Sequence, residues 1–142
     1  MDVSTLDGKL QELIKAADKV KENAYCPYSN FRVGAAVLCA DGSIYAGCNV
    51  ENASYGVSVC AERNAVMKAV TEGNKSFKAL AVCCDVKGEF TGPCGICRQV
   101  LSEFNMDLEI YLTKPDMTYQ KVIFRDLYPL SFTRHSLEEE KI

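Results

Sequence analysis

Two cysteine-containing stretches constrain the fold of this chain most strongly, because a single metal ion is able to bind both stretches only if the fold brings them together. They read Val59-Cys60-Ala61-Glu62-Arg63 and Pro93-Cys94-Gly95-Ile96-Cys97-Arg98-Gln99. Zinc takes four tetrahedral ligands, and a catalytic zinc site keeps one of the four positions for water. Cys60, Cys94 and Cys97 provide three sulfur ligands and leave that position free. The sequence therefore predicts an open zinc site, with Glu62 beside it to move protons.

The residues around these cysteines bear on the charge of the site. Both stretches open a predicted helix, and the positive end of a helix dipole stabilises thiolates. Three thiolates and one Zn²⁺ sum to about −1, which makes a bound water less acidic unless another group withdraws charge. Arg63 is either that group or a surface residue, and Arg98 has the same two interpretations. His135, the only histidine, lies near the end of the chain and is predicted to be exposed rather than a ligand.

Composition limits the function classes. The 142 residues are predicted to form one domain, 1–142, with a core. A net charge of −3 weighs against nucleic acid as the main partner. No apolar run approaches the ~20 residues of a membrane span, and residues 1–9 lack the apolar core of a signal peptide. We therefore expect a cytoplasmic protein without a membrane partner.

The eight cysteines raise the alternative of a disulfide framework. Such frameworks are typical of short secreted chains that lack a core, so we expect metal ligands and buried free thiols instead. Cys39, Cys83 and Cys84 lie in apolar, strand-like runs, where a free cysteine behaves as a small hydrophobe. No role is predicted for Cys26 or Cys48.

Periodicity and turn signals predict a helix over 5–24, strands over 31–39 and 44–50 joined by Asp41-Gly42, and a loop over 51–57. A helix from about 58 to 72 follows, with Ser58 as N-cap, and then a strand over 78–85. Pro93 is predicted to be the first residue of a helix that ends near 105. Strands over 108–113 and 119–123, a short helix or turn over 125–130 and a frayed tail over about 134–142 complete the prediction. This order predicts an α/β fold, a mixed sheet covered by helices.

Two other uses of the cysteines stay open at this point. A closed structural zinc site requires a fourth protein ligand, which Cys48 or another thiol is able to supply, but such sites usually have two Cys-x-x-Cys pairs. Alternatively, Cys94 and Cys97 form a thiol–disulfide redox pair. That interpretation leaves Cys60 and Glu62 without a role.

At these residues the sequence resembles the small zinc-dependent cytidine deaminases, the homotetrameric class with Cys-Ala-Glu in place of His-Ala-Glu. The resemblance covers nearly the whole chain. Beyond the two cysteine stretches it includes the segments 24–29, 31–36, 47–53 and 127–132, which read AYCPYS, FRVGAA, GCNVENA and LYPLSF. Several motifs in the right order make it more specific than the metal ligands alone.

The resemblance implies a three-layer sandwich with a five-stranded mixed sheet. It also implies hydrolytic deamination of cytidine and 2′-deoxycytidine to uridine and 2′-deoxyuridine in pyrimidine salvage. Zinc activates the water that attacks C4, and Glu62 shuttles the protons. The implied partners are a nucleoside substrate and further copies of the chain, in a homotetramer with shared active sites.

The same resemblance assigns roles to single residues. Cys60, Cys94 and Cys97 match the zinc ligands, and Arg63 matches an arginine that hydrogen-bonds the ligand sulfurs. The implied substrate contacts are the ribose-binding Asn49 and Glu51, the pocket aromatic Phe31, the backbone N–H of Ala61 at the pyrimidine carbonyl, and the subunit-boundary aromatics Tyr55 and Phe132.

Two positions depart from the family pattern: Asn64 replaces a usual Thr and Ile96 a usual Ala, which puts local packing in doubt. The blasticidin-type deaminases share both cysteine stretches but resemble this chain less at 31–36 and 49–52. A zinc-stabilised binding module without turnover is the non-enzymatic alternative.

Overall fold

Five strands form one mixed sheet at the centre of the molecule. The computed structural model describes every residue from Met1 to Ile142. The strands are β1 (Val33–Cys39), β2 (Ile44–Cys48), β3 (Phe77–Cys84), β4 (Glu109–Thr113) and β5 (Tyr119–Ile123). Their order is β2-β1-β3-β4-β5, and only β3 and β4 run parallel. The predicted mixed sheet is confirmed.

Helices cover both faces of this sheet, which confirms the three-layer prediction. They are α1 (Gly8–Val20), α2 (Ala61–Thr71), α3 (Gly95–Ser102), α4 (Phe124–Leu127) and α5 (Arg134–Glu138). Because strand side chains alternate between faces, Ala36 packs in the cluster with α1, while Ala35 and Val37 pack in the cluster with α2. None of the helices has the length and apolar character needed to cross a lipid bilayer.

Both helices that contain the predicted ligands begin later than predicted. Ser58 does not cap α2, because its hydroxyl accepts the backbone N–H of Asn52 at 3.1 Å and Val59 pairs with Val50 in an extended bridge. Cys60 is the N-cap of α2 instead. Cys94, with extended backbone angles, is the N-cap of α3, so Pro93 lies just outside that helix. Each N-cap is therefore a predicted zinc ligand.

The other differences are at element ends. The first helix is shorter than the predicted 5–24 because Asp7 caps it through the backbone N–H of Leu10, at 3.0 Å. Short 3₁₀ turns lie on either side of it. The tail that was predicted to be frayed contains α5, whose first turn is closed by reciprocal hydrogen bonds between Thr133 and Ser136. The residues of α5 have no buried side chain.

The close packing of α2 against the sheet depends on a glycine in β2. A Cβ atom on Gly47 would lie 2.4 Å from the backbone nitrogen of Ala65 in α2. Backbone atoms cannot yield as a flexible side chain does, so only glycine allows the helix to approach β2 this closely. A side chain here would push away the helix that presents Cys60 and Glu62.

We therefore expect Gly47→Ala to destabilise the fold by about 1–3 kcal/mol, the usual cost of overpacking a core. Thermal and urea unfolding of the zinc-loaded protein measure this. Gly88→Ala is the matched control, because a Cβ at Gly88 meets nothing within 4 Å. Equal unfolding midpoints for the two variants would contradict the close-contact argument.

Candidate active site

The N-termini of α2 and α3 meet at one end of the sheet and bring three thiols together. Cys60 and Cys94 are the two N-caps, and Cys97 lies in the first turn of α3. The three Sγ atoms all lie within 4.8 Å of one another, and those of Cys60 and Cys94 are 3.7 Å apart. Residues that are 34 positions apart in sequence thus form one cluster.

This cluster fits zinc. A Zn–S bond of about 2.3 Å at tetrahedral angles places two sulfur ligands about 3.8 Å apart. The observed 3.7 Å separation of two of the thiols agrees with that value. No further histidine, cysteine or carboxylate belongs to the cluster, so neither Cys48 nor His135 supplies a fourth ligand. Three ligands and one free position are the composition of a catalytic site rather than a structural one.

Arg63 lies beside the thiols and is not an exposed surface residue. One of its terminal nitrogens donates to the Cys60 Sγ at 3.6 Å and to the Ser58 carbonyl at 3.3 Å. Its Nε is buried without a hydrogen-bond partner. Hydrogen bonds from Cys97 and from Arg63 lower the pKa of Cys60 to about 5. The site therefore favours thiolate at this ligand even before a cation binds.

Glu62 follows Cys60 by two residues and lines the same cavity as Cys60 and Cys94. Its exposed fraction is 5%, and this burial raises the pKa of the Glu62 carboxyl above its usual value. A raised pKa suits a group that must both accept and release a proton near neutral pH. The end of α2, rather than its side, therefore presents Cys60 and Glu62 to one cavity.

The cavity beside the thiols has a volume of about 300 Å³. Its walls come from the segment before β1, the ends of β1, β2 and β3, the first turn of α2, and the loop before α3. The lining residues are Ser29, Phe31, Val33, Asn49, Glu51, Cys60, Ala61, Glu62, Val82, Cys84, Thr91, Gly92 and Cys94. A cavity of this size accommodates a small molecule.

Two predicted substrate residues are held in place by the segment before β1. The Asn49 side chain accepts the Val33 N–H at 2.9 Å and donates to the Phe31 carbonyl at 2.8 Å. The Glu51 carboxylate accepts the backbone N–H of Tyr28 at 3.0 Å and of Ser29 at 3.1 Å, and also the Ser29 hydroxyl. These bonds, that of the Ser29 hydroxyl first, lower the pKa of Glu51. Glu51 is thus fixed as a carboxylate at the cavity wall.

Tyr55 and Phe132 do not reach this cavity within one chain. They are 74% and 56% exposed. The Tyr55 ring meets that of Tyr28 edge-on, with 5.6 Å between centroids. Tyr55 lines a second, outer cavity of about 360 Å³, which shares Ser29 and Glu51 with the inner one. The structure therefore separates the predicted site residues into an inner group and these two outer aromatics.

Several wall residues were not predicted from the sequence. Ser29 orients Glu51, and only its place in the quoted Pro27-Tyr28-Ser29 segment pointed to it. Cys84 was identified as a buried strand cysteine, which is correct, but no local pattern marks it as a cavity wall. The two departures from the family pattern are accommodated: Asn64 donates to the Cys48 carbonyl at 2.7 Å, and Ile96 is 61% exposed.

The remaining cysteines form no disulfide bond, and all eight thiols are free. Cys39, Cys83 and Cys84 are buried, as predicted, whereas Cys26 and Cys48 are half-buried. The disulfide framework is therefore absent. A redox pair of Cys94 and Cys97 leaves unexplained why Cys60 and Arg63 converge on the same point.

Sequence comparison agrees with this geometry. Residues 7–113 match the family model described as the cytidine and deoxycytidylate deaminase zinc-binding region. A probable cytidine deaminase of Dictyostelium discoideum is 47% identical over 91% of this chain and 87% of that protein. The cytidine deaminase of Sporosarcina psychrophila is 46% identical over 90% of this chain and 94% of that protein.

Comparison with solved structures gives the same result. The crystal structure of cytidine deaminase from Burkholderia pseudomallei superimposes with a TM-score of 0.81 at 45% identity, covering 85% of this chain and 97% of the other. That from Mycobacterium tuberculosis superimposes with a TM-score of 0.75 at 38% identity, covering 89% and 98%. With three converging thiols that fit zinc and relatives that match over most of their length, this chain belongs to the zinc-dependent cytidine deaminase family of enzymes.

Proposed function

We propose that residues 1–142 form one catalytic domain that hydrolyses cytidine and 2′-deoxycytidine to uridine and 2′-deoxyuridine and releases ammonia. The observation that supports this most directly is a buried carboxyl, Glu62, in the same cavity as three thiols that leave one metal position free. The relatives are named as cytidine deaminases. Their names support this activity over a blasticidin-type activity or a binding module without turnover.

In this proposal Cys60, Cys94 and Cys97 hold zinc through their thiolates. When bound, zinc supplies Lewis acidity and lowers the pKa of water towards about 7 in catalytic sites. Glu62 accepts a proton from the attacking water and delivers protons to ring N3 and to the departing amino group. Its burial keeps the carboxyl pKa high enough for both transfers.

The first turn of α2 also orients the base. Ala61 is the first residue of α2 and is buried at the cavity wall. Its backbone N–H has no partner within the helix, as is general for the first helical turn. We propose that this N–H donates to the pyrimidine carbonyl, and that the Phe31 side chain packs beside the ring.

Asn49 and Glu51 bind the sugar in this proposal. The Asn49 amide is held by two backbone bonds, and the Glu51 carboxylate is held by three groups of the segment 28–29. Preorganised acceptors of this kind lose little entropy when a ribose hydroxyl binds. In this proposal the Glu51 carboxylate accepts a hydrogen bond from the 3′-hydroxyl.

We propose that Arg63 adjusts the charge of the metal site. Its positive charge and its hydrogen bond to Cys60 withdraw electron density from a thiolate ligand. Less negative charge at the sulfurs leaves the ion a stronger Lewis acid, so the attacking water is more readily deprotonated.

Glu62→Gln should keep zinc and fold but lose roughly 10²–10⁴-fold or more in kcat, because it removes the proton acceptor while preserving side-chain size. Cytidine deamination followed by ultraviolet absorbance, with zinc content by elemental analysis, measures both quantities. Cys60→Ala is the contrasting variant and should lose zinc and activity together. A Glu62→Gln rate within tenfold of the parent would remove the proton-shuttle role. Full zinc retention in Cys60→Ala would remove the ligand assignment.

The substrate preference tests the sugar-binding role. Cytosine, which lacks the sugar, should be a poor substrate, and the 5′-monophosphate should hardly react because its charge approaches the Glu51 carboxylate. Glu51→Gln should lower kcat/KM for cytidine by roughly 10- to 100-fold, the value of a charge-assisted hydrogen bond, and leave cytosine turnover unchanged. Glu72→Gln, at the exposed end of α2, is the control. Equal turnover of cytidine and its monophosphate would contradict this pocket.

We further propose that the chain forms a homotetramer in which neighbouring chains complete each active site. The exposed aromatics Tyr28, Tyr55 and Phe132 support this, since they leave apolar surface uncovered in one chain. Tyr28 and Tyr55 also line the outer cavity. That outer cavity shares Ser29 and Glu51 with the inner one. Covering these aromatics would also close the sugar end of the site to water.

Light scattering should give the mass of four 15.7 kDa chains. Phe132→Asp should lower both this mass and kcat/KM, because a charge replaces apolar contact area. Lys19→Glu, on the exposed side of α1, should change neither. A monomeric parent with full activity would rule out shared active sites.

We also propose a cytoplasmic location and a part in pyrimidine salvage. Eight free thiols support a reducing compartment, since oxidising compartments favour disulfides. A free nucleoside substrate, returned as a uracil nucleoside, supports the salvage role.

A further inference from the structure

The loop that leads into the ligand Cys94 has almost no backbone support. None of its residues, 87–93, takes part in a hydrogen bond between backbone groups. Only two side chains hydrogen-bond to its backbone: Lys114 donates to the Gly88 carbonyl at 3.1 Å, and Arg98 donates to the Pro93 carbonyl at 2.8 Å. The end of this loop nevertheless forms part of the active-site wall, at Thr91 and Gly92.

Of these two side chains, Arg98 is the one that bonds to the residue next to the metal ligand Cys94. It follows Cys97 directly on α3, and its Nε bonds to the carbonyl of the residue before Cys94. A second guanidinium nitrogen donates to the Leu127 carbonyl at 2.7 Å, at the end of α4. One planar side chain therefore joins the ligand loop to the segment 127–132.

Cys94 is the ligand that most needs such support. Cys97 is buried and Cys60 half-buried, whereas Cys94 is exposed. Its backbone lies outside the regular part of α3, at the N-cap. A ligand that faces solvent and directly follows a weakly bonded loop is the one through which a metal site opens.

We propose that Arg98 is a positioning residue that holds the loop 87–93 against α3 and thereby slows the loss of zinc through Cys94. The guanidinium is suited to this because its rigid, forked donors reach two carbonyls at once, which a lysine ammonium does not reproduce. This inference rests on the proposed assignment of Cys94 as a zinc ligand. It assigns Arg98 no contact with substrate.

The neighbouring residue provides a matched control. Gln99 also binds the segment 127–132, since its Nε2 donates to the Phe132 carbonyl at 2.9 Å and its Oε1 accepts the Tyr128 hydroxyl. Gln99 makes no bond to Pro93. Gln99→Leu therefore loosens the C-terminal segment while leaving the ligand loop bonded. Arg98→Met releases the Pro93 and Leu127 carbonyls and leaves the Gln99 bonds in place.

The experiment measures zinc release from the loaded full-length protein into an excess of a chromogenic chelator. Arg98→Met should release zinc about 10- to 100-fold faster than the parent, as is typical when a residue that supports a metal ligand is removed. Arg98→Lys, which keeps one donor near Pro93, should fall between the two. Gln99→Leu should release zinc within about threefold of the parent rate, a margin far below the effect of removing such a support.

Each outcome decides the proposal. If Arg98→Met does not fold, a rate of zinc release from Arg98→Lys above the parent rate still supports it. It is overturned if the foldable Arg98 variants release zinc at the parent rate, or if Gln99→Leu releases it as fast as Arg98→Met, since the C-terminal segment would then be responsible. The parallel variant Cys94→Ser separates this failure from a wrong ligand assignment, because full zinc retention there would contradict the proposed site itself.

Discussion

The active site depends on the packing of two helix N-termini against the same face and end of one sheet. Cys60 and Cys94 are N-caps, so their thiols extend beyond the ends of α2 and α3 rather than from the sides. The separation of these thiols, 3.7 Å, therefore follows from where the two helices sit. The close approach of α2 to Gly47 fixes one of those positions. A shift of either helix would separate the ligands.

This arrangement also resolves an electrostatic problem. Negative charge among three neighbouring sulfurs is costly, and hydrogen bonds from Cys97 and Arg63 stabilise the thiolate of Cys60. The positive end of the α2 dipole acts in the same direction. Glu62 is buried beside these sulfurs, where burial and the Cys60 charge raise its pKa. The Cys60 thiolate, the buried Glu62 carboxyl and the Arg63 guanidinium thus all lie at the start of one helix, α2.

The parts of the site differ in rigidity. The cavity wall at Asn49 and Glu51 is held by side-chain bonds to backbone N–H and carbonyl groups of the segment 28–33. The loop 87–93 has only side-chain anchors, one of them from Arg98. The site therefore combines thiols at helix N-termini with one wall whose position depends on a few side chains.

The sequence by itself determined the order of elements, the three thiols and the carboxyl beside them, because periodicity and residue chemistry are local properties. Only the tertiary structure decided that Val59 pairs with Val50. Because of this pairing α2 begins at Ala61, and Cys60 is its N-cap. It also decided that Ser29 orients Glu51 and that Cys84 lines the cavity. These contacts join residues that are not neighbours in the sequence, and their formation depends on how the sheet and helices pack. No local pattern of residues encodes that packing.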